Sequence, residues 1–233
     1  MFPLEEGTGE RGSPVQCGTR RPAAHWLGIA FAELAGHPTC GFSETVNFRF
    51  DVEKATEASL QFIAREGGRI NVMKLIKLIY LLDRLSIQRR SIPVVGGIYF
   101  SMRNGPVTSE LLDLVNAGEL AGEEGSRWEA LIADRKNHEI AIRGSASLER
   151  DSLSDSEIEL IDEIYAEHGA KDQWQLRDWC HERCGEWTPL QNGRERIDIE
   201  ELAVNAGHSQ REALRIADGA RETNLLARAF AQA

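Results

Sequence analysis

What this chain lacks narrows its class before anything in it is read. No apolar run in its 233 residues is long enough to span a bilayer. The N-terminus lacks the basic-then-apolar pattern of a secretory signal, so a cytoplasmic protein is expected. Positive charge is short: 27 Lys and Arg stand against 37 Asp and Glu, a net charge of −10. That argues against broad nucleic-acid binding, which relies on Lys and Arg to neutralise phosphates. Cysteine is sparse. Cys17, Cys40, Cys180 and Cys184 do not make a disulfide framework in a chain this long, and reduced thiols are expected. Missing too are GxSxG, HExxH, the P-loop and GxGxxG, and there is no internal repeat. No enzyme activity, cofactor or metal is expected.

What is present is ordinary for a globular protein: 42% hydrophobic and 27% charged residues, enough for one sizeable core. The chain divides unevenly. Residues 1–48 are a leader rich in Gly, Pro, Thr and charge, with one apolar patch, "HWLGIAFAELAG". It has no sustained period and is expected to be disordered or loosely packed. Val46 is a candidate true initiator, since bacterial genes can start at GTG. Residues 49–233 are expected to form a mainly α (α+β) domain, a helical bundle with a small strand or hairpin element.

Within that domain, "DVEKATEASLQFIAREGG" predicts a helix with an acidic first turn and a glycine stop at Gly67 and Gly68. Asn71 caps a second, "VMKLIKLIYLLDRLSIQRR", which is apolar around most of its circumference and is therefore expected to be surrounded by other helices. Its polar stripe runs through Lys74, Lys77, Arg84 and Gln88 at three- and four-residue steps. "VVGGIYFSMRNG" predicts a short strand or extended loop. Pro106 suits the first position of a third helix, "PVTSELLDLVNAGEL", stopped at Gly118. "RWEALIADRKNHEIAIRG" reads as a hairpin around "DRKN", its first arm equally acceptable as a helical turn. The second half is helical, with capping boxes at Ser154/Glu157 and Ser209/Glu212.

Charge is unevenly placed. Residues 69–90 hold Arg69, Lys74, Lys77, Arg84, Arg89 and Arg90 against Asp83 alone, and residues 149–167 are strongly acidic. These runs pair with each other, form solvated faces, or steer a charged partner. "CHERC" puts Cys180 and Cys184 on one helical face, half of a zinc site with no second half. His181 points about 100° away from Cys180, which weakens a thiolate–base reading. A helix-turn-helix reading suffers from an acidic recognition helix with Glu110 and Asp113 and an overlong connection. DNA binding, as a regulator of its own operon, is kept as the alternative function. Tyr99, Phe100, Met102 and Arg103 are residue types enriched at protein interfaces; packing of alternate residues into the core explains them equally well.

"KLIKLIYLLDR", then a glycine-containing loop with an aromatic residue, then "NGPVTSELLDL", resembles the Panacea domain of SocA-like antitoxins. The carrying residues are Lys74, Leu75, Lys77, Leu78, Tyr80 and Asp83, followed by Gly105, Pro106 and Val107. The family's later helix with a histidine and a following tryptophan is similar to "LRDWCHERCGEW", through His181 and Trp187. The likeness covers about residues 50–190. Two departures stand: Asn104 occupies a position that is often aromatic in the family, and the leader has no counterpart. The resemblance implies a helix-rich, non-enzymatic antitoxin of a type II toxin–antitoxin system, prophage-associated in some members. It would bind and neutralise a protein toxin encoded by the adjacent gene, and some members deliver the toxin to a cellular protease. On this resemblance the lysine stripe and the loop either frame the fold or face that partner; the residues named for a partner-facing surface are Lys74, Lys77, Tyr80, Arg84, Tyr99 and Arg103.

Overall fold

The computed structural model describes residues 46–117, 126–144 and 150–231. The leader through residue 45, with Cys17 and Cys40, and the expected helix stop at Gly118 lie outside the described residues. The chain is already packed at Phe48, whose carbonyl accepts the Gly97 N–H at 3.0 Å and whose ring joins the core.

Helix α1 (Val52–Arg65) starts where the Asp51 carboxylate accepts the Lys54 N–H, and it ends before Gly67 and Gly68, at φ +83° and +95°. A short strand, β1 (Arg69–Asn71), leads into α2 (Val72–Arg90), whose first turn is capped by Asn71 Oδ1 accepting from Met73 and Lys74 N–H. Helix α2 is the axis of the fold, as its all-round apolarity predicts. It is packed by α1, by α3 (Ser109–Ala117), α5 (Asp155–His168), α6 (Gln173–Arg183) and α7 (Ile199–Asn205), and by strand β3 (Gly105–Thr108). Helix α8 (Gln210–Ala231) lies against α7. Both expected capping boxes form: Glu157 accepts from Ser154 N–H at 2.9 Å, and Glu212 from Ser209 N–H at 2.9 Å. Mainly helical with small sheets is thus the observed class. Among the described residues no helix is long and apolar enough to cross a membrane.

Among the described residues the strands form two antiparallel three-stranded sheets, in the orders β1, β5 (Glu139–Ile142), β4 (Ile132–Lys136) and β3, β2 (Tyr99–Met102), β6 (Arg194–Ile197). In the first, helix α4 (Ser126–Leu131) runs into β4 (Ile132–Lys136), which pairs with β5 (Glu139–Ile142). The hairpin expected here is present, with a helical turn before it, but its turn is Asn137–His138 rather than "DRKN". Both residues have positive φ, 52° and 64°, as a tight two-residue hairpin turn needs.

In the second sheet, β2 (Tyr99–Met102) pairs with β3, and Met102 opposes Gly105, leaving Arg103–Asn104 as the turn. The expectation that Pro106 opens a helix is therefore corrected: it lies in β3, and α3 begins at Ser109. Proline is tolerated there because β3 is an edge strand of its sheet. The other edge, β6 (Arg194–Ile197), was not legible in "RERI", which has no apolar alternation.

The basic and acidic runs pair with each other. Arg89 meets Glu163 at 2.5 Å and Arg90 meets Glu157 at 3.7 Å, while Arg65 from α1 meets Asp162 at 2.5 Å. These ties join α1 and α2 to α5. Those at half-exposed side chains contribute little to stability.

Candidate functional site

The polar residues of α2 do not form a surface stripe. Lys74, Lys77, Tyr80, Asp83 and, from β2, Tyr99 are buried, and Arg84 is half-buried. A long polar side chain is kept inside only if its charged or hydroxyl end finds a partner, and together these grip several distant segments of chain. Lys74 Nζ donates to Glu66 Oε1 at 2.5 Å and to the Gly169 carbonyl at 2.7 Å. Lys77 Nζ donates to the Pro106 carbonyl at 2.6 Å. Tyr80 Oη and Arg84 Nε both donate to Glu186 Oε1, at 2.5 and 2.8 Å, and Arg84 Nη2 also reaches the Asn205 carbonyl. Asp83 Oδ1 accepts the N–H groups of Val94 and Val95, while Oδ2 accepts Gly96 N–H and Tyr99 Oη–H. The expectation of a partner-facing Lys74, Lys77, Tyr80 and Tyr99 is corrected on this geometry: they lie inside. Arg103 is the one exposed member of that set. Gln88, at the end of the stripe, is also exposed.

Burial sets the ionisation of this network. Lys77 is pushed down to about 8, because desolvation disfavours its charge. Asp83 is pushed up to about 6 by burial, against the four hydrogen bonds that pull it down. Burial, together with the adjoining carboxylates, holds the Tyr80 and Tyr99 hydroxyls protonated.

The later motif closes on the same place. His181 of α6 stacks on Trp187, ring centroids 3.8 Å apart and planes within 4°. Trp187 Nε1–H donates to the Met102 carbonyl at 2.9 Å, and Thr188 N–H to Ser101 Oγ at 3.0 Å. Gly105 sits between these groups at φ +98°. A Cβ there would lie 3.0 Å from Lys77 Nζ and 3.4 Å from His181 Cδ2, so the position excludes a side chain. Lys77, Gly105, Pro106, His181 and Trp187 thus meet around the turn end of one hairpin, with Val107 buried in its second strand. Asp83 holds the loop that leads into it.

Cys180 and Cys184 are buried thiols in mutual contact below this cluster. The hydrogen bond from Cys184 holds the Cys180 thiol below its usual range, whereas the same bond and burial push Cys184 up. Among the described residues no group of His, Cys, Asp and Glu has the makings of a metal site.

Beside the hairpin opens a cleft of about 510 Å³, within the size range of ligand and side-chain pockets. One wall is the first turns of α2, with Val72, Met73 and Ile76; Met102 and Val107 of the hairpin and Leu112 of α3 form the next. Trp174, at the start of α6, closes a third side and is 49% exposed. Its cationic groups among the described residues are Arg103 at the hairpin tip, Arg135 of β4 and Lys77, and no carboxylate of those residues lines it. Sequence reading singled out Arg103 here but missed Trp174 and Arg135 as site residues. Trp174 carried a readable signal, a large aromatic on an otherwise hydrophilic helix face. Arg135 carried none, because it arrives from a different hairpin. Glu186, the buried acceptor of Tyr80 and Arg84, was missed for the same reason.

No curated protein and no solved structure matches the chain. A family model does: residues 75–188 match the one described as Antitoxin SocA-like, Panacea domain. The match opens on α2 and closes at Thr188 beside Ser101, so it encloses the clamp of Lys77, Asp83, Tyr99, Gly105, His181 and Trp187 around the hairpin. Over residues 75–188 this chain is a Panacea domain, of the kind described for SocA-like antitoxins.

Proposed function

We propose that the protein is an antitoxin that neutralises a cognate protein toxin by direct binding, using the face that carries the hairpin tip and the cleft. One observation carries this reading. The motif residues of the family are turned inward, where they fix a single hairpin, and the tip of that hairpin, Arg103–Asn104, is left exposed at the cleft. A tip held this firmly binds without the ordering cost that a loose loop would incur. The mode of action is binding rather than catalysis: the groups with acid–base character, Lys77, Tyr80, Asp83 and Glu186, are buried and bonded to one another's segments, where they brace the fold.

The test is rescue with co-purification. Each gene neighbouring this one is expressed alone in a bacterial host and then together with the full chain. The expected result is growth arrest by one neighbour, relief by this protein, and a complex that survives purification. Arrest by neither neighbour, or relief without a complex, would sink the proposal.

A further inference from the structure

The cleft differs in character from the molecule around it. The chain carries a net charge of −10, yet among the described residues no carboxylate lines the cleft and two exposed arginines do. Neither arginine meets a carboxylate among the described residues. Arg103 has no hydrogen-bond or ion-pair partner among the described residues. Arg135 donates to Asn116 Oδ1 at 2.7 Å and meets His138 Nδ1 at 2.8 Å, neither of them a carboxylate. A guanidinium so placed retains unused donors in a geometry suited to a carboxylate. Between the arginines the surface is apolar and adaptable: Met73 and Met102 are flexible thioethers, and Trp174 leaves half its area in water. Aromatic, methionine and arginine side chains together are the composition of an interface centre.

On these grounds, and resting on the antitoxin reading above, we propose that the cleft receives one continuous segment of the toxin, bearing adjacent apolar side chains and an Asp or Glu beside them. The apolar side chains fill the space between Met73, Met102 and Trp174. The carboxylate is taken by Arg103 and Arg135. The acidity of the rest of the molecule then repels a segment offered in the wrong orientation, so the cleft sets register as well as affinity. A nucleic acid does not suit the same surface, because a phosphate chain needs a track of positive charge rather than two arginines around an apolar floor.

The experiment uses the full chain and the toxin whose arrest it relieves. Fluorescein-labelled overlapping peptides covering that toxin are titrated against the wild type, against the double variant Arg103→Glu/Arg135→Glu, and against Trp174→Ala. All three residues are exposed, so the melting temperature is expected to stay at the wild-type value. One peptide, apolar and acidic, is expected to bind the wild type, and each variant is expected to weaken it by about tenfold or more. Exchanging the acidic residue of the toxin for Arg is expected to restore rescue by the double variant. A double variant that binds and rescues like the wild type would overturn the proposal and leave the antitoxin reading in place. So would a bound peptide that is basic or wholly apolar, or a wild-type dimer that the double variant dissolves, which would make the occupant a second copy. Failure of the wild type to relieve any arrest would bring down the antitoxin reading itself, and this proposal with it.

Discussion

Lys77 Nζ lies 2.6 Å from the carbonyl oxygen of Pro106, inside the protein, at a point where the Gly105 backbone leaves no room for a side chain. The lysine on α2 thereby fixes the second strand of the hairpin. Two substitutions separate its charge from its bond. Lys77→Glu puts a carboxylate against a carbonyl with no donor for either, and it is expected to leave the protein insoluble, so loss of rescue by that variant reports misfolding and not contact. Lys77→Met fills similar volume, loses one hydrogen bond worth about 1 kcal/mol, and removes a buried charge. It is expected to fold with near wild-type stability at pH 7. Urea denaturation of the two purified variants distinguishes these outcomes.

The same lysine makes stability depend on alkaline pH. Its folded value, about 8, lies below the ordinary value of 10.5. Between these values the unfolded chain holds the proton and the folded chain does not, so stability rises with pH across that window. The contribution is fully present above 10.5 and is lost as pH falls through 8. Wild type is expected to gain on Lys77→Met by up to about 3 kcal/mol between pH 7 and the alkaline end of the window. Parallel denaturation curves at neutral pH and near pH 10, about two units above the folded value, read the difference directly. A constant gap between the two proteins would show that Lys77 is not desolvated.

Asp83 performs the corresponding task at the other end of the loop. Its two oxygens share four donors, three of them backbone N–H groups of residues 94–96 and one the hydroxyl of Tyr99. In Asp83→Asn one oxygen becomes an amide that cannot accept, leaving two buried donors unmatched. A loss of about 2–4 kcal/mol is expected, against about 1 kcal/mol for Tyr99→Phe, which removes a single donor. The pH dependence has the opposite sign to that of Lys77. Because the folded value, about 6, lies above the ordinary 3.8, this carboxyl stabilises the fold below 3.8 and the contribution is lost as pH rises through 6. Acidification from pH 7 to pH 5 is therefore expected to widen the gap between wild type and a variant lacking this carboxyl.

The sequence revealed the helices because their signals are local: Asn71, Ser154/Glu157 and Ser209/Glu212 are caps read within four residues. The encircled axis was legible too, because α2 has no face polar enough to be left outside. Its lysines pointed the wrong way for a physical reason. A polar stripe on an apolar helix describes a solvent edge and a buried clamp equally well, and only distant partners choose between them. Those partners, the Pro106 carbonyl, Gly169 and Glu186, come from segments with no periodic signature. Pro106 was misplaced because proline suits both a helix start and an edge strand; the Arg103–Asn104 turn decided it. The cleft was illegible for the same reason as the clamps, since Met73, Met102, Arg135 and Trp174 meet only in three dimensions.

Trp187 tests whether the inward-facing motif matters for the outward-facing tip. It is not itself part of the cleft lining, yet its Nε1–H holds the Met102 carbonyl at 2.9 Å, one residue before Arg103, and its ring stacks on His181. Trp187→Phe keeps an aromatic ring against His181 and removes the donor. The global cost is expected to be modest, about 1 kcal/mol by urea denaturation. The local effect is expected to be larger, because Met102, next to the turn, loses its side-chain tie, and β2 is then held by the Thr188–Ser101 bond and its pairing with β6 alone. Amide hydrogen exchange at residues 101–105 is expected to quicken by about tenfold, with α2 unchanged. Toxin rescue is expected to weaken in step, through the ordering cost that a mobile tip adds to binding. Arg103→Glu, by contrast, is expected to weaken rescue with hairpin exchange as slow as in the wild type. If Trp187→Phe loosened the hairpin while rescue stayed complete, the tip would have no part in holding the toxin, and the binding face would have to be sought elsewhere on the domain.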